Sequence, residues 1–309
     1  MPLIPKIVST PLKWASKQLL NRTILQFPKG EVHPDIACVY CPELCRFACP
    51  TAVASGNDAV TPSNKMALLY KEKRWPGRGF SGAEPWPLFD CTGCGRCTEY
   101  CKYEMPVADR LFEARAQYAW SEVERVLPQI EKLDRVGDLF DELGQLDRAA
   151  QKRKEFGGGA SQKVEEPREQ FFLKRSGVQA ELRADSILRQ ADFDDLVAKC
   201  AGKRWLVHES VWLSRRLSRF EEVAGWVERA KQAGVQLVLP FEHGRDCIDC
   251  GGEGAFRLLF SEQARVMARD FWERDQHRVD GVLCMSRRCT EHFKQSLGGD
   301  VPVVYWGEN

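Results

Sequence analysis

Cys91-Thr92-Gly93-Cys94-Gly95-Arg96-Cys97-Thr98-Glu99-Tyr100-Cys101 decides how the first half of this chain is read. Its cysteines are separated by two, two and three residues. That spacing lets a tight loop wrap three corners of an iron–sulfur cube while the fourth thiolate reaches a second cube. Gly93 and Gly95 suit so sharp a turn, because glycine has free backbone angles. A second run, Cys38, Cys41, Cys45 and Cys49, lies upstream and ends in Pro50. The Cys-Pro ending belongs to the same pattern, although the middle gap is one residue longer. Crossing over assigns Cys38, Cys41, Cys45 and Cys101 to one cluster, and Cys91, Cys94, Cys97 and Cys49 to the other. Paired C-x2-C motifs also serve zinc. Two four-cysteine runs, one at ferredoxin spacing, favour two [4Fe–4S] clusters instead.

The chain has 309 residues, 13 of them cysteine, and a formal net charge of +1. Near-neutral charge gives no overall case for nucleic acid. The start, Met1-Pro2-Leu3-Ile4-Pro5-Lys6, lacks the apolar core of a signal peptide. No run approaches the roughly 18 apolar residues of a membrane span. A reducing cytoplasm fits, and clustered cysteines there point to metal or redox chemistry rather than disulfides.

Outward from the motifs, residues 1–30 carry Lys6, Lys13, Lys17, Arg22 and Lys29 and no acid. Leu12, Ala15, Leu19, Leu20, Ile24 and Phe27 recur at helical spacing. The segment reads as a basic amphipathic helix that rests on its own domain, on a partner, or peripherally on the inner face of a membrane. Between the cysteine runs, Lys71, Lys73, Arg74 and Arg78 form either a docking stretch for an acidic redox partner or a solvated face. Arg46, Arg96 and Lys102 stand beside the motifs, where positive charge favours a reduced cluster. Residues 107–150 read as helix, broken at Pro128, with an apolar seam of Leu133, Val136, Phe140 and Leu143. The charged stretch 151–180, with Gly157-Gly158-Gly159, reads as a flexible linker. From about 200, strands at 204–208, 235–239, 279–284 and 301–305 alternate with helices, which predicts a mostly parallel sheet. The fold class is therefore α+β and multidomain. An N-terminal segment covers 1–30, a helical two-cluster domain 31–115, a helical connector 116–200, and an α/β domain 201–309.

The long separation of Cys49 from Cys91 resembles the α-helical ferredoxin domain found in heterodisulfide reductases, in the iron–sulfur component of glycerol-3-phosphate dehydrogenase and in succinate dehydrogenase iron–sulfur proteins. That resemblance covers residues 31–115 and implies two cubane clusters held between short helices. The end of the chain resembles the cysteine-rich CCG domain of heterodisulfide reductases and of lactate- and glycolate-oxidising iron–sulfur proteins, in a degenerate form. Where that family has His-Asp-Pro-Cys, this chain has His208-Glu209-Ser210-Val211. Where it has Cys-Cys-Gly, Asp249-Cys250-Gly251 stands, with Cys247 a little earlier. Its closing C-x2-C is here Cys284-x4-Cys289.

Cys247, Cys250, Cys284 and Cys289 suffice for a third [4Fe–4S] cluster or one zinc; a vestigial structural domain is the other reading. Cys200 reads as a buried small apolar residue and His208 as structural. His243 stands four residues before Cys247 as a lesser ligand candidate. No Gly-x-Gly-x-x-Gly follows a strand, so hydride chemistry falls to a separate, flavin-bearing subunit. The expected function is an iron–sulfur electron-transfer subunit of an oxidoreductase complex. The alternative is a catalytic, heterodisulfide-reductase-like subunit using the four carboxyl-terminal cysteines.

Overall fold

The computed structural model describes residues 35–39, 41, 43–77, 80, 85–157, 163–189 and 193–307. The expected amphipathic segment at 1–30, and Arg78, lie outside these residues.

Short helices carry the first half: Ile36–Val39, Cys45–Ala48, Pro50–Ser55, Pro62–Arg74, Trp86–Phe89, Arg96–Glu99 and Val107–Arg115. Pro50 and Pro62 each open a helix, where a missing N–H costs nothing and the fixed φ helps. Met66, Leu69, Leu88, Phe89 and Leu111 form the core with Val123, Val126, Leu127 and Ile130 of the next helix, Ser121–Leu133. Pro128 does not break that helix, contrary to the sequence expectation. It lies on the exposed face with Glu124, so water can serve the carbonyl left without a partner. Leu133 is also exposed, while Val136, Phe140 and Leu143 are buried as the seam requires.

The stretch 151–180 is not the linker the sequence suggested. Helix Leu146–Phe156 runs into it, strand β1 is Lys163–Val164, and helix Pro167–Arg175 follows before strand β2, Glu181–Leu182. β1 and β2 pair in parallel. Glu166 and Glu169 form a reciprocal capping box at the start of the second helix. Its Arg168 is fully buried, donating to Asp138 at 2.9 Å and to Glu142. The guanidinium also lies over the rings of Phe172 and Trp212, at 4.8 and 4.4 Å.

The four predicted carboxyl-terminal strands are present as β3 Arg204–His208, β4 Gln236–Val238, β5 Gly281–Cys284 and β6 Val303–Tyr305. All pair in parallel, in the order β4-β3-β5-β6. β5 is buried throughout and β3 after its first residue, as expected of strands covered on both faces. Helices Phe220–Gln232, Ser261–Asp275 and Arg287–Leu297 make the crossovers. After β3 the chain first makes a wider π-helical turn, Trp212–Arg216, before the helix Phe220–Gln232. The register sets His208 beside Cys284, so two chemically competent side chains meet at the carboxyl edge of the sheet.

The two halves pack directly on each other. Trp120 stacks with Phe260 at 5.6 Å, and Gln263 donates to the Thr51 carbonyl and to Asp90 at 2.8 and 3.0 Å. Arg215 of the π-helical turn donates to the Cys94 carbonyl at 2.9 Å. Trp212 shares an apolar cluster with Cys94, Phe112 and Cys247.

Candidate metal centre

The loop 91–97 is shaped by two left-handed glycines, Gly93 (φ +77°) and Gly95 (φ +73°). Gly93 is also pressed against its cover: a Cβ there would lie 2.4 Å from Phe112 and 3.1 Å from Trp212. No side chain fits without moving a ring. Gly93→Ala is therefore expected to lose about half of the bound iron, read by iron analysis of oxygen-free protein. Full iron retention would refute this role of the glycine.

The loop brings its cysteines to one enclosed space. Cys49, Cys91, Cys94 and Cys97 line a small cavity of about 20 Å³, together with Lys65, Thr92 and Gly95. Cys49, Cys94 and Cys97 are buried. Burial pushes the Cys94 thiol up to about 11 and raises Cys97 well above its ordinary value, with Cys94, Cys91 and Cys49 adding repulsion at Cys97. Burial raises Cys91 as well, opposed by the cations Lys65 and Arg115. The Gly93 N–H donates to Cys91 Sγ at 3.4 Å.

Cys38, Cys41, Cys45 and Cys101 come together as a second group, each half-buried. Burial pushes Cys38 up to about 12, with repulsion from Cys101, Cys45, Asp35 and Cys41. Phe47, Leu44, Tyr103 and Tyr100 nearby in sequence are exposed. Four crowded sulfurs repel one another once ionised, so each group suits a cationic metal centre that binds thiolates and displaces their protons. The donor sets thus fit [4Fe–4S] clusters.

Several residues fall differently from expectation. Cys247 is not with the other carboxyl-terminal cysteines. It faces Arg215, Glu209 and Cys94, and its sulfur is 3.8 Å from Arg215. Cys250 points elsewhere, into an apolar cluster with Cys284 and Cys289. His208, read as structural, joins Cys250 and Cys289. His243 contacts the Pro240 carbonyl at 3.0 Å; Cys200, by contrast, is the buried core residue expected. Lys73 pairs with Asp35 at 2.9 Å, Arg46 with Asp58 at 2.6 Å, and Arg96 with Glu242 at 3.7 Å.

Sequence reasoning missed Lys65. It is only 1% exposed, donates to the Asp90 carbonyl, and approaches the Thr51 hydroxyl at 3.5 Å. Arg115 was missed likewise: it is buried and donates to the carbonyls of Leu88 and Cys91 at 2.9 Å. Nothing in a linear spacing marks either residue.

Residues 36–105 match the model of a family described as 4Fe–4S dicluster domain. None of the curated proteins compared with the chain matches it. None of the solved structures compared with it matches either. The matched stretch is a ferredoxin-like iron–sulfur domain that binds [4Fe–4S], and its role is electron transfer. Among the described residues, no helix is long and apolar enough to cross a membrane.

Proposed function

We propose that this protein is the iron–sulfur subunit of an oxidoreductase complex and carries two [4Fe–4S] clusters. Cys38, Cys41, Cys45 and Cys101 would hold one; Cys49, Cys91, Cys94 and Cys97 would hold the other. The observation that supports this most is the exchange of thiols between runs. Cys49 from the first run shares a cavity with Cys91, Cys94 and Cys97, while Cys101 interacts with Cys38. Bound clusters would supply one-electron chemistry; the chain supplies ligands, burial and charge. Lys65 and Arg115 put two buried cations beside the Cys91 side of the second group. The first group, half-buried where Cys49, Cys94 and Cys97 are buried, is the more accessible side for a redox partner. A flavoprotein is the fitting donor, because a flavin converts hydride pairs into single electrons.

The ligand exchange is directly testable. Anaerobically purified protein should contain roughly eight irons and, once reduced, show an EPR spectrum of two interacting centres. Cys49→Ser and Cys101→Ser should each leave one non-interacting centre, and the two residual spectra should differ. Identical residual spectra would mean that the runs do not exchange ligands. Zinc in place of iron at these eight thiols would remove the redox role altogether.

A further inference from the structure

His208 closes β3, Cys250 lies in the loop beyond β4, and Cys289 stands in the first turn of helix Arg287–Leu297. Chain topology brings them to one point: one donor atom from each lies within 4.8 Å of the other two. The Cys250 and Cys289 sulfurs are 3.4 Å apart. All three side chains are at most 1% exposed. Phe271 and Phe293 grip the imidazole edge-on, each at 4.9 Å between centroids. Apart from the Cys250 sulfur it faces, neither ring nitrogen of His208 has a hydrogen-bond partner among the described residues. A buried imidazole held in this way is costly unless something else uses its lone pair.

We propose that His208, Cys250 and Cys289 bind a single zinc ion, with Cys284 as the fourth ligand. Cys284 sits opposite His208 in the β3–β5 register and faces both other sulfurs, but its own sulfur stands outside the group within 4.8 Å and approaches Thr290, so it must move to complete the tetrahedron. Nitrogen and sulfur donors in tetrahedral array are the ligand set of zinc. Two thiolates on one tetrahedral zinc, each about 2.3 Å from the metal, stand roughly 3.8 Å apart. The observed separation of 3.4 Å is close to that. In a cubane each corner thiolate binds a different iron, and the thiolates point away from one another, so sulfurs this close do not fit two corners. Cys247, which faces Cys94 and Arg215, takes no part. The ion would fasten β3, β5, the Cys250 loop and the helix Arg287–Leu297, as a structural zinc does.

Full-length protein purified without oxygen should carry one zinc per chain in addition to its iron. Zinc and iron are measured separately, so this result is independent of the two-cluster reading. Cys250→Ser and His208→Ala should each lower zinc at least tenfold, whereas Cys247→Ser should retain it. If the first two variants do not fold, cobalt-grown wild-type protein provides the second measurement: it should show thiolate-to-cobalt absorption bands of a tetrahedral site. Zinc-free protein overturns the proposal, as do a Cys250–Cys289 disulfide found by mass spectrometry, roughly twelve irons per chain, and zinc lost equally on Cys247→Ser.

Discussion

Replacing Lys65 with methionine should lower the reduction potential of the centre proposed at Cys49, Cys91, Cys94 and Cys97 by on the order of 90 mV. Lys65 is a buried cation lining the same cavity as those four sulfurs. A cluster gains one negative charge on reduction, and a fixed positive charge stabilises that state more than the oxidised one. At an effective dielectric constant of about 20 and a separation of roughly 8 Å, the interaction is about 2 kcal/mol, which for one electron gives the figure above. Methionine keeps most of the volume and removes the charge. The Cys38 group lies on the other side of the exchange, so its potential should move much less. A redox titration followed by EPR reads both centres, and Lys65→Arg should restore most of the shift. An unchanged potential in Lys65→Met would show that Lys65 serves packing alone.

Arg168→Ala should destabilise the protein by about 3–5 kcal/mol, the usual cost of removing one partner from a buried ion pair. Arg168 is fully buried between Asp138 and Glu142, both also buried. Arg288 would still reach Asp138 at 2.9 Å, and Arg115 would still reach Glu142 at 3.6 Å, so the low end of that range is expected. The alanine also removes the stacked cover from Trp212 and Phe172. For a chain of this size the loss corresponds to a fall in Tm of roughly 10 °C, measurable by anaerobic thermal unfolding with clusters bound. A fall of no more than a degree or two would mean that the two carboxylates find other partners.

What could be read from the sequence was what local spacing dictates. The 91–101 run encodes its own turn, and the glycines that permit it are in the string. The apolar runs 204–208 and 281–284 declare buried strands. What could not be read depends on partners distant in sequence. Arg168 looks like a solvated charge until Asp138 and Glu142 are brought around it, so 151–180 passed for a linker. Pro128 looks like a break unless its wet face is known. Cys247 and Cys250 look like a pair at metal-binding spacing. Yet one faces Cys94 and the other Cys289, and spacing carries no information about that direction. Lys65 follows the same logic, because a lysine inside a core is exceptional and only its cavity gives it meaning.

Trp212, Arg215 and Arg216 close over the 91–97 loop, and all three emerge from the ribosome long after the cysteines they cover. On the proposed ligand assignment, the inner centre is expected to be installed while the carboxyl-terminal half is still absent or undocked. Maturation has an order built into it: delivery to the inner thiols first, then closure of the α/β half, with the outer thiols remaining accessible to the delivery machinery afterwards.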